Sequence, residues 1–288
     1  MSVADTELPG LRCPACRLPL DRDAGSLRCA TGHTFDLARQ GYAHLLLSKQ
    51  SSAHDSGDDG EMVRARRAAL SAGYYAPVVD AVSDLVSGWA ERAGRPARLL
   101  DLGCGEGTVL REATERLLDQ DGVRLPGYGV DASKRALRSA AGSDKRNLYV
   151  VASTYDLPLD DASIDVAVKV FSPAAAGEVV RVLRQDGIAI AVNPGADHLI
   201  ELRERMYETV TSRPPGDTAL QGLPGMHPLH RGEHARGVVL HAELLRAVVG
   251  MTPYRWSVSP AQLDALAAAA PLTVTTHFVV TVHVAMGS

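Results

Sequence analysis

Three cysteines and a histidine near the start of the chain are spaced as metal ligands: Cys13-x2-Cys16, then twelve residues, then Cys29-x3-His33. Three thiolates and one imidazole make a tetrahedral zinc shell, and the two-residue gap lets both sulfurs of a knuckle turn onto one ion. Four ligands leave no open position for water or substrate, so the expected zinc is structural and serves folding, not chemistry. Cysteines without metal are the bland alternative. A fourth cysteine, Cys104, stands apart from the cluster and is expected to be a small packing residue in preference to a reactive thiol.

The second stretch with chemical content is LDLGCGEGTVL, residues 100–110. A strand ending at Asp101, followed by Gly103, Gly105 and Gly107 and then a helix, brings backbone amides close to a ligand, because glycine has no side chain to block the approach. The glycines do not follow the G-x-G-x-x-G spacing of a dinucleotide turn, and the Gly-Lys-Ser/Thr of a P-loop is absent. D-x-G-x-G-x-G resembles motif I of the class I methyltransferases that use S-adenosylmethionine (SAM). That resemblance implies a turn packed against the methionine part of the cofactor, with Asp101 near its amino group. The next strand, GYGVDAS, ends in Asp131, whose carboxylate suits the two ribose hydroxyls because it accepts both hydrogen bonds. The long interval between the two acids is assigned to an extended loop at DQDGVRLPG. Glycines that merely permit a tight turn are the alternative.

The elements that must position these residues alternate. ARLLDLG, GYGVDAS, LYVVAS, IDVAVKVFS and GIAIAVNPG read as strands, and GTVLREATERLLDQ, SKRALRSAAG and AAAGEVVRVLRQ as helices between them. The pattern predicts an α/β fold with a parallel, doubly wound Rossmann-like sheet. Glu61 to Arg92 reads as helices broken around Gly73–Pro77, and the tail LTVTTHFVVTVHVAM as a pair of antiparallel edge strands. Residues 1–47 form a small unit too poor in apolar residues for a core of its own, so it needs a staple. Residues 48–60 read as a linker, and 61–288 as the methyltransferase domain.

The 288 residues are 45% hydrophobic and 22% charged, ordinary values for a globular protein, and the formal net charge of -4 confines any basic groove to a local patch. No basic segment followed by an apolar core opens the chain, and no later run is long enough to span a bilayer, so the expected location is cytoplasmic, with no membrane partner.

Together the two halves resemble the RlmA-type 23S rRNA guanine-N1 methyltransferases, which include macrolide-resistance members. The resemblance covers nearly the whole chain, through CPAC to CATGHTFDLARQGYAHLL, GDDGEMVRARRAALSAGYYAPV, LLDLGCGEG, VFSP, NPGADHLIEL and MTPYRW. It implies zinc on Cys13, Cys16, Cys29 and His33, and SAM contacts from Tyr75, Gly107, Thr108 and His198. This chain departs from relatives at Phe171-Ser172-Pro173, where many carry Tyr-Ala-Pro or Phe-Ala-Pro, and at Thr108, where some carry an aromatic residue. His198 and Tyr75 have packing as their alternative, and Arg64, Arg66 and Arg67 a solvated helix face against phosphate contacts. The resemblance further implies a 23S rRNA hairpin near the peptide exit tunnel as substrate, and a homodimer.

A guanine within a duplex is out of reach, whereas a loop nucleotide can splay out and stack on an aromatic ring, for which Phe171 is the candidate. Some group or water must take the N1 proton; Asp or Glu near the VFSP strand end, or His198, are the candidates. Arg12, Arg17, Arg28, Arg39 and Lys49 are expected to grip the RNA from the zinc unit. A small-molecule methyltransferase with the zinc unit as a lid, and an RNA-binding protein without activity, are the competing readings.

Overall fold

The computed structural model describes residues 10–47, 60–121, 127–207, 210 and 225–285. Most of the linker, Lys49 and the centre of the DQDGVRLPG loop lie outside the described residues. Among those described, no helix is long and apolar enough to cross a membrane.

The N-terminal unit is a three-stranded antiparallel sheet of β1 (Leu20–Asp23), β2 (Ser26–Cys29) and β3 (Thr34–Asp36), followed by the short β4 (Ala43–His44). It does not stand alone. β4 pairs in parallel with β7 (Leu148–Val151) at one edge of the main sheet. Leu11, Cys13, Leu20, Leu27 and Cys29 share one apolar core with Leu100, Val130 and Leu157 of the main body. A unit too small to bury its own surface has thus borrowed a face of the larger sheet.

Two helices, α1 (Gly60–Ser71) and α2 (Ala76–Ala93), break where the sequence predicts, with Tyr75 at the α2 N-cap and Pro77 in its first turn. The alternating units follow as β5 (Leu99–Leu102), α3 (Thr108–Asp121), β6 (Tyr128–Asp131), α4 (Lys134–Ser143), β7, β8 (Ile164–Val170), α5 (Ala176–Val182) and β9 (Leu183–Pro194). α5 is shorter than expected, because Leu183 to Gln185 already belong to β9. Then come α6 (Ile200–Met206), β10 (Met226–Leu240), α7 (Ala242–Met251), a 3-10 turn (Pro253–Trp256), α8 (Pro260–Ala268) and β11 (Leu272–Ala285).

The eight strands lie in the order β10-β11-β9-β8-β5-β6-β7-β4, parallel from β9 to β4. β11 runs antiparallel to both β9 and β10. The tail is therefore one interior strand, not the expected pair at the edge. Burial on both faces explains its nearly unbroken run of β-branched residues. The true edge is β10, MHPLHRGEHARGVVL, whose polar residues, glycines and proline hide a strand that is mostly exposed.

Chain order reverses between β5 and β8: β5, β6 and β7 are laid down in one direction, β8 and β9 in the other. In open α/β sheets the crevice outside the strands' carboxyl ends at such a reversal is where ligands bind.

Candidate active site and zinc centre

A cavity of about 710 Å³ opens at that reversal, with Met62, Arg66 and Leu70 of α1 and Tyr254 of the 3-10 turn over it. Its lining includes Tyr75, Asp101, Gly103, Gly105, Thr108, Asp131 and His198; of the predicted cofactor residues only Gly107 stands behind the wall.

The glycines do two different things. All have positive φ, at 69°, 53° and 74° for Gly103, Gly105 and Gly107. A Cβ on Gly103 would lie 2.3 Å from Ser172 Cβ, and one on Gly107 would lie 2.5 Å from the Tyr149 hydroxyl. These two let the turn pack against the sheet. A Cβ on Gly105 meets nothing nearer than 3.5 Å, so that glycine presents backbone to the cavity.

Asp131 holds the turn in place: Oδ2 accepts from the Gly105 N–H at 2.9 Å and Oδ1 from the Ser133 N–H at 2.7 Å. A carboxylate oxygen has two lone pairs, so one that accepts from the backbone can also accept from a ribose hydroxyl. Asp101 is buried, and desolvation followed by the charge of Asp131 pushes its carboxyl up to about 7. Burial also holds Cys104 well above the ordinary thiol range, and its sulfur packs over Gly129, as expected of an inert residue. These residues fit SAM: bare backbone, two carboxylates for its ammonium and ribose, and Thr108 at the start of α3.

Another part of the cavity wall is aromatic. Phe171, with a left-handed φ of 52°, sits 5.5 Å from both Tyr75 and Phe278, centroid to centroid, and His198 lies 4.9 Å from Phe278 with its ring tilted by 45°. Such strained backbone concentrates at functional sites. Burial pushes the Tyr75 phenol up to about 12, so it stays protonated, and pushes His198 down to about 4, so its ring is neutral. His198 Nδ1 accepts from the His277 N–H at 3.2 Å, which leaves the ring proton on Nε2. His198 is thus a hydrogen-bond donor to the cavity, which tells against it among the candidate proton acceptors.

The carboxylates in the lining are Asp101, Glu106 and Asp131, all on the glycine-turn side. None lies on β8 or β9 or in the residues just after them beside Phe171, where the sequence reading looked for a base; the polar lining residues there are Lys169, Ser172 and Asn193. Lys169, Asn193 and Phe278 were missed, although a charge inside the apolar strand IDVAVKV and a polar residue ending IAIAVN are visible signals. Arg66 lines the cavity 3.8 Å from Glu106, whereas Arg64 and Arg67 are exposed.

At the N-terminal unit the four predicted ligands converge, all ligand atoms lying within 4.8 Å of one another. His33 Nδ1 is 3.6 Å from Cys13 Sγ and 3.5 Å from Cys29 Sγ, and Cys16 and Cys29 Sγ are 3.6 Å apart. Tetrahedral zinc requires edges of about 3.5–3.8 Å, so the cluster fits the ion. Two knuckles set it up, closed by Arg17 N–H to Cys13 O at 2.8 Å and Gly32 N–H to Cys29 O at 2.9 Å. The Thr31 hydroxyl, 3.1 Å from Cys29 Sγ, is the leading cause that lowers this thiol to about 6, readying it as a thiolate.

The basic residues around the cluster divide. Arg12 and Arg17 form ion pairs with Asp160 and Asp156 of the main body, and Arg17 Nη1 also donates to Leu157 O at 3.2 Å. Arg28 and Arg39 are exposed.

A doubly wound sheet with one reversed strand, this cavity at its switch point and a Cys3His cluster alongside define a SAM-dependent class I methyltransferase joined to a zinc ribbon. Residues 11–52 match the model of the RlmA N-terminal zinc ribbon, and residues 100–191 that of a methyltransferase domain. The 23S rRNA (guanine(748)-N(1))-methyltransferase of Streptomyces fradiae is 37% identical, with 88% of each chain covered. Proteins named 23S rRNA (guanine-N(1)-)-methyltransferase in Micromonospora griseorubida and Bacillus subtilis are 36% and 33% identical, over 93% and 85% of this chain and 95% and 86% of theirs. The chain belongs to the RlmA family of 23S rRNA (guanine-N1)-methyltransferases.

Proposed function

We propose that this protein methylates N1 of a guanine in a hairpin loop of 23S rRNA, near the peptide exit tunnel, using SAM. The observation that carries the reading is the coupling of the RlmA-type zinc ribbon to a methyltransferase cavity whose wall is partly aromatic. Tyr75, Asp101, Gly103, Gly105, Gly107, Thr108, Asp131 and His198 hold the cofactor, and Cys13, Cys16, Cys29 and His33 hold zinc.

Bound SAM supplies an electrophilic methyl group on a sulfonium. The protein's part is to bring guanine N1 into line with it, which is worth most of the barrier reduction open to a positioning enzyme. A flipped guanine stacks on Phe171, whose fixed backbone and ring contacts present a preformed platform.

Residues 1–47 serve as the RNA-recognition unit and 61–288 as the catalytic domain. Arg28 and Arg39 contact the RNA, while Arg12 and Arg17 are spent on holding the unit to the main body. The protein works in the cytoplasm, as a homodimer, and confers macrolide resistance by altering the tunnel wall.

Incubation with labelled SAM and unmethylated large-subunit RNA tests the reading, with the product mapped by primer extension. The expected result is a stop at one hairpin guanine, since methylation at N1 blocks the Watson–Crick edge. SAM binding without transfer to RNA would move the assignment to a small-molecule substrate.

A further inference from the structure

Resting on that reading, we infer that Lys169 and Asn193 form the subsite that reads the Watson–Crick edge of the target guanine, with Lys169 at O6 activating N1. The two residues end adjacent parallel strands. Lys169 of β8 is in register with Ala191 of β9, so Asn193, two residues on, projects from the same face of the sheet. Both line the cavity, and both are almost fully buried, at 6% and 7% exposure. Phe171, the stacking platform, follows Lys169 by two residues on the same strand end.

Ligand cavities set a few buried polar groups among apolar walls to fix a ligand's orientation, and the Lys169 ammonium and the Asn193 carboxamide are two such groups, near the ends of adjacent strands. The ligand's chemistry follows from the donors. An ammonium offers only donors, so it suits the O6 acceptor of guanine and opposes the 6-amino group of adenine. A carboxamide oxygen accepts from the 2-amino group on the other side of N1. Two such contacts bracket N1 between them.

The same contact addresses the missing base. Loss of the N1 proton leaves a negative charge shared between N1 and O6, and a cation at O6 stabilises that anion as an oxyanion hole stabilises an alkoxide. The N1 proton then passes to water without a dedicated carboxylate. The N1–carbon bond forms as the carbon–sulfur bond breaks, the electron pair of that bond staying on sulfur. No lining carboxylate lies on β8 or β9 beside Lys169 and Asn193, which agrees with this division of labour.

Lys169→Met and Lys169→Arg test the assignment. Removing one such donor lowers kcat by ~10²–10³-fold. In Lys169→Met the loss should shrink as pH rises toward 9.5, because hydroxide supplies what the ammonium no longer does, while SAM affinity by calorimetry stays within about twofold. Lys169→Arg should restore most of the rate, which also shows that Lys169→Met fails for loss of charge and not of folding.

A binding readout is independent of turnover. Wild-type protein should hold the mapped hairpin more tightly with guanine at the target than with 2-aminopurine, which lacks O6, and Lys169→Met should remove the difference. An unchanged pH–rate profile in Lys169→Met, or loss of SAM binding in it, overturns the inference while leaving the proposed function intact. Failure of the wild-type protein to methylate rRNA overturns both.

Discussion

The zinc centre and the methyl-transfer cavity solve the same problem, holding reactive groups in place, by opposite means. The four zinc ligands come from 21 consecutive residues, on two knuckles whose geometry is set by local hydrogen bonds. The cavity draws on residues from Met62 on α1 to Tyr254 on the 3-10 turn, and on four strands, β5, β6, β8 and β9. The first site is local and closed; the second exists only when the whole sheet is assembled. Loss of one part should therefore have different consequences in the two.

The largest effect belongs to the local site. Zinc binding is worth about 10–16 kcal/mol in small zinc units, because the site is not preformed in the unfolded chain. Cys29→Ser, or extraction with a chelator, should empty the site and unfold residues 10–47. Metal analysis by mass spectrometry and loss of hairpin binding would register this. SAM affinity should fall no more than about threefold, since none of the zinc-unit residues lines the cavity. A collapse of SAM affinity would break the comparison, and would mean that the shared core makes the two regions one cooperative unit.

Within the dispersed site a single carboxylate matters next. Asp131→Ala removes the acceptor of two backbone N–H groups, at Gly105 and Ser133, and with it the ribose contacts. Hydrogen bonds to a charged group contribute about 1.5–3 kcal/mol each, so SAM should bind ~10²-fold more weakly by calorimetry. Zinc content should not change. Asp131→Asn, which keeps shape but mispairs one N–H, should lie between.

What could be read from the sequence follows the same divide. Ligand spacing named all four zinc residues, because their geometry is encoded within a few residues of each. The glycine turn and Asp131 were legible too, since a strand, a turn and a helix are local objects. Lys169, Asn193 and Phe278 were not assembled in advance, because only strand order brings β8, β9 and β11 together. β10 escaped because an exposed edge strand needs no apolar alternation, and β11 was misjudged because a strand buried on both faces shows none either. The candidate carboxylates for the base near the VFSP strand end have no counterpart in the cavity lining on β8 and β9, whose polar residues are lysine and asparagine.

Protonation offers a finer probe of the cavity. The Asp101 carboxyl, raised to about 7 by burial and by Asp131, is largely protonated at pH 6 without ligand. A bound ammonium favours the carboxylate, so SAM binding below pH 7 must release a proton, and by linkage affinity must rise with pH until about 7 and then level off. Calorimetry at pH 6.5 in buffers of different ionisation enthalpy should detect a fraction of a proton released. Asp101→Asn should abolish the release. Cys29→Ser should leave the release unchanged, and its loss in that variant would tie the two regions together.

The smallest effect tests the seam itself. Arg17 and Arg12 bind the zinc unit to Asp156 and Asp160, in the segment that directly follows the cavity residues Ser153, Thr154 and Tyr155. Both pairs are partly solvent-exposed, so each should contribute at most about 1 kcal/mol, a loss of ~1–3 °C in Tm for Arg17→Ala. A double-mutant cycle with Asp156→Ala isolates the pair from the hydrogen bond to Leu157 O. If Arg17 serves only the seam, hairpin affinity at fixed salt is unchanged in Arg17→Ala but falls in Arg28→Ala, and only the second lowers the salt slope. A reduced salt slope in Arg17→Ala would return that residue to the RNA surface, and the zinc unit would then be held by its shared core rather than by its charges.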